Sequence, residues 1–209
     1  METFQNALAK KLGEENLKKV RGARVGLAGA GGLGSNCAAH LVRTGFRKLT
    51  IVDFDIIAPS NLDRQFYFED QIGMKKIDAL KTNLLKIDPS LELTMIDQKI
   101  DRTNLKTIFR DCDIVVECLD LAESKSMLVA ELSTSGKLIV TASGLGGIGS
   151  SDDITVHPIK PNLIIVGDLR SDIEQAPALS PKVNVAAAKQ ADVVLEHVLG
   201  QMTSSRQKN

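Results

Sequence analysis

The sequence is short of cysteine, of net charge and of long apolar runs. Its 209 residues contain only three cysteines, and 26 basic side chains are balanced by 26 acidic ones. Three cysteines that form no C-x-x-C pair neither make a disulfide framework nor supply the ligands of a structural zinc site. A net charge of zero disfavours binding to nucleic acid, which usually requires a basic domain. We therefore expect a reducing environment, no zinc and no nucleic-acid partner.

Membrane and export signals are also missing from the pattern. Uninterrupted apolar runs such as Leu163–Val166 are far shorter than the roughly 20 residues that a membrane helix needs. The segment Met1–Lys19 mixes acidic, basic and apolar side chains and lacks the apolar centre of a signal peptide. These features predict a cytoplasmic protein without a membrane partner.

From residue 24 onward, patterns typical of buried strands alternate with patterns typical of helices. The predicted strands of this part are Arg24–Ala28, Lys48–Val52, Leu91–Ile96, Asp113–Leu119 and Leu138–Thr141. The predicted helices between them are Leu33–Thr44, Ile77–Ile87, Leu105–Phe109 and Ala122–Ser133. Strands separated by helices form right-handed βαβ units, so the sequence predicts an α/β fold with a Rossmann-like, doubly wound and mostly parallel sheet.

The pattern changes after residue 143. A glycine-rich stretch is followed by two short strands, Ile154–His157 and Leu163–Val166, and by a closing helix, Val183–Leu199. Because no helix precedes Leu163–Val166, we expect that segment to extend the sheet in the antiparallel direction. The whole chain, 1–209, is predicted to form one domain, with an N-terminal helical segment over 1–22 and a flexible tail over 203–209.

The sharpest local motif is the glycine loop Gly29-Ala-Gly31-Gly32-Leu-Gly34, which matches G-x-G-x-x-G between a predicted strand and a predicted helix. Such a loop lets phosphate oxygens approach backbone amides at a helix N-terminus. Asp53 follows the next strand, where an acid binds a ribose hydroxyl. The loop therefore predicts a nucleotide site; the alternative is a glycine turn without a ligand.

A polar cluster after the second strand favours a triphosphate over a dinucleotide. The cluster contains Asp55, Asn61, Arg64, Gln65 and Lys76. Arginine and lysine are the usual partners of transferring phosphates, whereas a dinucleotide pyrophosphate is held mainly by backbone amides. Taken singly, Arg64 and Lys76 are equally compatible with solvated surface charges.

Asp120 directly follows the strongly apolar strand Asp113–Leu119. Ligands of doubly wound folds gather at the carboxyl ends of strands, and a carboxylate there can hold Mg²⁺ against phosphates. The alternative is a helix N-cap for the segment that begins at Ala122, and the two roles are compatible.

Together these motifs resemble the E1-like superfamily, which contains the ThiF and MoeB adenylyltransferases and the ubiquitin-activating enzymes. The resemblance rests on GAGGLGS at 29–35, DFD at 53–55, SNLDRQ at 60–65, G-x-x-K at 73–76 and the strand that ends in Asp120. It covers roughly residues 20 to 200, and the compact chain looks most like the ThiF-type proteins of thiamine biosynthesis.

The resemblance implies ATP-dependent adenylation of the C-terminal Gly-Gly carboxylate of a ubiquitin-fold sulfur carrier (ThiS-like), with release of pyrophosphate. It implies catalytic roles for Arg64, Lys76 and Asp120. It also implies that the nucleotide is bound by Gly29, Gly31, Gly32, Asp53, Asp55, Asn61, Arg64, Gln65 and Lys76, with Mg²⁺ on Asp120. It further implies a homodimer, and a carrier tail that runs beneath a loop near 144–153 or 168–181.

The sequence departs from this pattern in its second half and at its N-terminus. No cysteine follows Cys118, so the zinc-binding pairs and the carrier-linking cysteine of some relatives are missing. We therefore expect adenylation only, with sulfur supplied by a separate donor protein. The N-terminal arginine run of larger relatives is absent too, which leaves Arg21 or a nearby lysine to replace it. Leu121 stands where relatives often have asparagine.

Three alternatives stay open from the sequence. The carrier could serve molybdenum-cofactor synthesis instead of thiamine, as a substrate like the small subunit of molybdopterin synthase. The glycine loop also suits a nicotinamide-dependent oxidoreductase, although no His–Asp or Tyr–Lys pair supplies its proton donor. The last alternative is a non-catalytic scaffold of the same superfamily.

Overall fold

The computed structural model describes residues 2–173 and 175–201, which form three layers. A seven-stranded sheet with the order β3-β2-β1-β4-β5-β7-β6 lies between two layers of helices. The strands are β1 Arg24–Ala28, β2 Lys48–Val52, β3 Glu92–Ile96, β4 Ile114–Glu117, β5 Leu138–Ala142, β6 Thr155–Lys160 and β7 Leu163–Gly167. The helices are α1 Phe4–Leu12, α2 Glu14–Gly22, α3 Gly32–Arg43, α4 Lys76–Leu85, α5 Leu105–Ile108, α6 Ala122–Leu132 and α7 Ser180–Leu199.

The central strands are apolar on both faces because helices cover both faces of the sheet. Every residue of β4 and β5 is buried, as are four of the five residues of β1. Helices α3, α4 and α7 pack in the larger apolar cluster on one face, and α5 and α6 pack in the smaller one on the other. Parallel strands covered in this way read as continuous apolar runs. For this reason the predicted elements from β1 to β5 match the structure to within two residues at each end.

The predicted direction of the segment Leu163–Val166 is wrong. This segment, β7, runs parallel to β5, with Ile139 opposite Leu163. The antiparallel strand is β6, which pairs with β7 at the edge of the sheet. Since β6 itself carries the chain back to the starting edge, β7 needs no helix before it to run parallel.

The described N-terminal residues lie outside the sheet. The N-terminal segment folds as the two short helices α1 and α2, and α2 packs against α7. The tail predicted over 203–209 lies outside the described residues. No helix in the described ranges combines the length and apolar character needed to cross a membrane.

Candidate active site

The candidate site lies at the carboxyl ends of β1, β2 and β4. The strand order reverses between β1 and β4, and at such a point the loops diverge and leave a crevice for ligands. The glycine loop follows β1, Asp53 and Asp55 follow β2, and Asp120 follows β4. The fold therefore brings the glycine loop and the acids that sequence analysis selected to one edge of the sheet.

At two glycines of the loop a side chain would clash with the backbone, whereas Gly31 faces open space. Gly29 has a φ of +107°, and a Cβ there would lie 2.7 Å from the carbonyl oxygen of Cys118. A Cβ on Gly34 would lie 1.9 Å from the carbonyl oxygen of Gly29, so α3 packs directly onto the end of β1. A Cβ on Gly31 would meet only the Gln65 amide nitrogen, at 3.8 Å. The backbone at Gly31 is thus the part of the loop that a phosphate can approach.

The N-terminus of α3 has no side-chain cap. Its N-cap residue is Gly31, which has no side chain to accept from the first amides of the helix. Those amides have no partner within the helix, and the helix dipole adds positive potential at the same place. An uncapped N-terminus beside an open glycine backbone is a suitable site for an anion.

Asp53 is fixed by the glycine loop. Its carboxylate accepts hydrogen bonds from the amide of Ala30, at 2.7 Å, and from the amide of Asp55, at 2.9 Å. Burial raises the pKa of Asp53 above its ordinary value of 3.8, although both amides and the charge of Lys76 oppose this rise. The carboxylate thus stands next to the loop, where a ribose would lie beside a bound phosphate.

Adenosine affinity is expected to fall as the pH drops toward and through the raised pKa of Asp53, which lies above 3.8. A ribose hydroxyl donates to the ionised carboxylate, so affinity is complete above this pKa and is lost below it. Adenosine is the appropriate probe because it has no titrating phosphate. Calorimetry between pH 7 and pH 4 should show this decrease for the wild type, and a binding about tenfold weaker and nearly pH-independent for Asp53→Asn. The same pH dependence in both proteins would contradict this role.

Lys76 is the buried cation of the site. Its side chain is only 7% exposed, and its Nζ lies 2.7 Å from Oδ2 of Asp55, whose side chain is 49% exposed. The Lys76 amide also donates to the carbonyl oxygen of Asp55 at 3.0 Å. Because the aliphatic stem is buried and the partner carboxylate faces solvent, the ammonium is held at the mouth of the site. An incoming phosphate would meet a charge that is already in position.

Arg64 covers the start of α3. Its Cγ lies 3.5 Å from the place where a Cβ on Gly32 would stand, so its stem rests on the glycine loop. Its guanidinium donates to the carboxylate of Asp63 at 2.6 Å and to the carbonyl oxygen of Ser60 at 3.1 Å. The Asp63 pair is partly exposed, so a polyanion can compete for this guanidinium at little cost.

Asn61 and Gln65 hold the segment that carries Arg64. The side-chain oxygen of Asn61 accepts from the amide of Ala58 at 3.0 Å, and its carbonyl oxygen accepts from the amide of Gln65 at 2.9 Å. Asn61 therefore stabilises the turn itself, and contact with phosphate stays a prediction for it. The side-chain oxygen of Gln65 is buried without a hydrogen-bond partner among the described residues.

Asp120 is exposed at the carboxyl end of β4 and does not cap α6. The N-cap of that helix is Leu121, with no side-chain cap bond, which corrects the N-cap alternative. Within the described residues, Oδ1 of Asp120 accepts only from the neighbouring Leu121 amide, at 2.9 Å. An N-cap at Asp120 would require the helix to begin at Leu121, but α6 begins at Ala122. The carboxylate of Asp120 faces solvent.

The donor set at Asp120 suits Mg²⁺ bound together with a nucleotide. No group of three or more His, Cys, Asp or Glu side chains able to hold a metal occurs within 2–173 and 175–201. Mg²⁺ is commonly held by one or two carboxylates, with substrate phosphates and water completing the octahedron. A metal at Asp120 would therefore depend on bound phosphates for most of its remaining ligands.

Two side chains that the sequence motifs do not include as site residues join the pieces of the site. The hydroxyl of Ser35 accepts from the amide of Phe66 at 2.9 Å and donates to the carbonyl oxygen of Gly31 at 2.7 Å. The buried hydroxyl of Tyr67 donates to the carbonyl oxygen of Ala30 at 2.7 Å. Both bonds attach the segment around Arg64 to the glycine loop. Tyr67 is the only tyrosine of the chain and directly follows the polar cluster, which was a usable signal.

Glu117 is a second missed residue, and it lies three positions before Asp120. Its side chain is fully buried, and its carboxylate contacts the ammonium of Lys125 at 2.9 Å. It also accepts from the Leu119 amide at 2.6 Å and from the hydroxyl of Thr141 at 2.5 Å. This network joins β4, β5 and α6 directly behind Asp120. A single charged residue inside an apolar strand was the sequence signal for it.

The three cysteines are buried, and the pKa of each thiol is raised. Burial raises the pKa of the Cys37 thiol to about 12 and that of Cys118 well above 9.0. Burial is also the main reason that the pKa of Cys112 is raised, with the acidic neighbours Asp111 and Asp113 adding to it. Since the thiolate is the nucleophile, these three side chains are poor candidates for covalent catalysis.

Comparison with known proteins identifies the family of the site. The model of the ThiF family matches residues 4–205 of the chain. An adenylyltransferase and sulfurtransferase, UBA4 of Candida glabrata, is 30% identical over 200 residues, or 90% of this chain and 45% of that protein. The molybdopterin-synthase adenylyltransferase of Escherichia coli is 25% identical over 90% of this chain and 76% of that protein. The chain thus spans about half the length of the first relative and most of the second.

Solved structures show the same fold. The tRNA N6-threonylcarbamoyladenosine dehydratase TcdA of E. coli, in complex with AMP, aligns with a TM-score of 0.80 at 21% identity. The alignment covers 97% of this chain and 95% of that one. The same enzyme has also been solved with ATP, with a TM-score of 0.79. At 21% sequence identity, this similarity shows a shared fold and nothing further.

Proposed function

The chain belongs to the ThiF family, and from this membership we propose that it adenylates the C-terminal Gly-Gly carboxylate of a ubiquitin-fold carrier protein. ATP would be the second substrate and pyrophosphate the leaving group. The observation that carries the proposal is the uncapped glycine loop at the N-terminus of α3, with Asp53 on one side and the cations of Lys76 and Arg64 beside it. We also propose that residues 1–209 act as one adenylation domain.

The proposed reaction needs charge neutralisation more than proton transfer. A carrier carboxylate is already ionised at neutral pH, so it attacks the α-phosphorus of ATP without a general base. A bond forms between a carboxylate oxygen and the α-phosphorus, and the bond from that phosphorus to the pyrophosphate oxygen breaks. Lys76 and Arg64 would stabilise the charge that accumulates on the leaving pyrophosphate. Mg²⁺ held by Asp120 would supply further neutralisation of the phosphates.

Sulfur transfer would then require a second protein. Each cysteine of the chain is buried, and burial raises the pKa of each thiol, so none is suited to form a thioester with the carrier. The product would be a carrier acyl-adenylate, whose activated carbonyl accepts sulfur from a separate donor. This division of labour agrees with the lack of cysteine after Cys118.

The carrier that we propose is the ThiS-like protein of thiamine thiazole synthesis. Its support is the resemblance to ThiF-type proteins and the cysteine-free second half of the chain. The alternative is a carrier like the small subunit of molybdopterin synthase, and it is supported by relatives named molybdopterin-synthase adenylyltransferase at 25% and 27% identity. Both carriers are therefore tested as substrates.

The test is ATP–pyrophosphate exchange with Mg²⁺ and each carrier in turn. Exchange that depends on one carrier supports the proposal and identifies the carrier. ATP binding without exchange on either carrier would favour a non-catalytic scaffold. Binding of NAD but not of ATP would contradict the proposal and favour a nicotinamide-dependent enzyme.

An exposed apolar patch beside the site supports a homodimer. The patch consists of five large side chains that are each 39–61% exposed: Phe54, Ile56, Phe68, Ile72 and Met74. Two hydrogen bonds of 2.9 Å, from the Ile57 amide to the Met74 carbonyl and from the Gly73 amide to the Ile57 carbonyl, bring its parts together. Contiguous exposed apolar side chains of this kind mark interfaces. A second copy of the chain is the occupant that we propose, because the patch is continuous with the segment that carries Asp53 and Lys76.

The double variant Phe54→Asp, Ile56→Asp is expected to be monomeric, because two charges cannot be buried unpaired in an interface. Its dissociation constant should rise by at least about 100-fold. Sedimentation of the wild type, the double variant and Ile159→Asp, an exposed position on β6, measures this. The wild type and Ile159→Asp should be dimers. A monomeric wild type or a dimeric double variant would contradict the proposed interface.

A further inference from the structure

Leu169, directly after β7, has a backbone conformation that leucine rarely adopts. Its φ is +59°, and Ser150 is the other non-glycine residue with positive φ in the part of the chain that the structure describes. In the left-handed region the Cβ of an L-residue crowds the following carbonyl. The Leu169 side chain is 44% exposed, so burial in the core does not offset this cost. A strained residue of this kind persists only where its surroundings hold it.

Asp168 and Lys182 hold the turn that contains Leu169. Oδ1 of Asp168 accepts from the amides of Arg170 and Ser171, both at 2.8 Å. The ammonium of Lys182, which is almost fully buried, lies 3.6 Å from Oδ2 of Asp168 and donates to the carbonyl oxygen of Gly146 at 2.6 Å. Burial would raise the pKa of Asp168, but the two amides and Lys182 outweigh it and lower this pKa to about 2. The charged carboxylate therefore holds the backbone directly after Leu169 throughout the physiological range.

Leu169 is part of an apolar rim at the carboxyl ends of three neighbouring strands. We define the apolar rim as Leu121 after β4, Ile148 after β5, and Leu169 and Ile173 after β7, which are 61%, 83%, 44% and 47% exposed. Strands β4, β5 and β7 are consecutive in the sheet and lie on one side of the strand reversal. The charged groups Asp55, Arg64 and Lys76 come from the β2 side. A substrate that approaches along the rim therefore meets these apolar side chains, with the exposed Asp120 and Arg170 beside them, before it reaches the glycine loop.

Strand spacing gives the distance from the glycine loop to Leu169. Three spacings separate β1 from β7 in the sheet, and neighbouring strands lie about 4.8 Å apart, so this distance is about 14 Å. An extended peptide advances about 3.4 Å per residue and covers this distance in about four residues. A carrier tail with its carboxylate at the glycine loop and its backbone along the rim would thus present about its fourth-last residue to Leu169.

We propose that Leu169 is a specificity-determining residue that contacts an apolar side chain about four residues before the C-terminus of the carrier. This inference rests on the proposed function. The strained turn keeps the leucine side chain over the tail, where a glycine would satisfy the backbone but leave no apolar surface. Asp168 and Lys182 are positioning residues for this contact, since they act through the turn.

The test combines two readouts, because thermal stability should increase while carrier binding should weaken. Leu169→Gly relieves the left-handed strain and is expected to raise Tm by about 2–4 °C. The same change removes the apolar contact and is expected to raise KM for the ThiS-like carrier about tenfold in ATP–pyrophosphate exchange, with the Kd for ATP unchanged. Leu169→Asn, which also tolerates the left-handed region, should show the same rise in KM. Ile159→Ala, a comparable exposed truncation on β6, should leave KM unchanged.

A double-mutant cycle locates the contact on the carrier. Changing the fourth-last carrier residue to alanine should raise KM with the wild-type enzyme but add little to the KM of Leu169→Gly, because the two changes remove one contact. An unchanged KM for Leu169→Gly, or a lower Tm for it, overturns this inference even where wild-type exchange depends on the carrier. Absence of carrier-dependent exchange in the wild type overturns the proposed function and this inference together.

Discussion

Lys76→Met is expected to lower carrier-dependent ATP–pyrophosphate exchange by about 10²- to 10³-fold without unfolding the protein. Lys76 holds an ammonium in position at the mouth of the site. Its removal lowers the rate because this charge stabilises the transition state more than it stabilises bound ATP. The fold should survive, since methionine fills the space of the buried stem. The partner carboxylate of Asp55 is half-exposed and can be solvated when it loses the ammonium.

The adjacent residue provides a matched control for this variant. Lys75 also makes an ion pair, with Asp97 at 2.5 Å, but its side chain is 55% exposed. Lys75→Met should retain exchange to within about twofold, since an exposed pair contributes little. Initial rates and the Kd for ATP measure the two variants side by side. Equal losses in both would show that Lys76 has no special role in catalysis.

Lys125→Met is expected to lower the free energy of unfolding by about 3–5 kcal/mol, the largest effect on stability that the structure predicts. The reason is that Glu117 would be left as a fully buried carboxylate without its cation. The double variant Glu117→Gln, Lys125→Met removes both charges and should recover most of this loss. Urea unfolding monitored by circular dichroism measures all three proteins.

A more exposed ion pair, which joins α5 to α6, is the control for Lys125. Lys106 lies 2.9 Å from Glu131 of α6, and these side chains are 65% and 25% exposed. Lys106→Met should cost no more than about 1 kcal/mol. A loss in Lys125→Met as small as in this control would mean that the Glu117 network does not stabilise the sheet behind Asp120.

Local sequence patterns were sufficient to predict the helices and strands from β1 to β5 and the glycine loop. Buried parallel strands give apolar runs, and Gly29 and Gly34 are dictated by contacts within a few residues along the chain or with the adjacent strand. The direction of β7 was not predictable in the same way. It depends on which strand carries the chain back across the sheet, and here that strand is β6 rather than a helix.

Residues of the candidate site could be predicted from the sequence, but the hydrogen bonds and ion pairs that join them could not. Sequence reasoning selected Asp53 and Lys76, and the structure brings them to the same edge of the sheet. It assigned Asn61 to phosphate, which stays a prediction; the contact that the structure shows for this side chain stabilises a turn. It overlooked Tyr67 and Glu117, because their partners Ala30 and Lys125 are fixed by tertiary packing that no local pattern encodes.

The most direct test of the proposed adenylation follows an oxygen atom from the carrier. A ThiS-like carrier with heavy oxygen in its C-terminal carboxylate is incubated with ATP, Mg²⁺ and the enzyme, and the acyl-adenylate is then hydrolysed at its acyl carbon. If the carboxylate attacks the α-phosphorus, the released AMP carries one heavy oxygen, and the Asp120→Ala variant forms little of it. AMP without the label from the wild-type enzyme would contradict the account.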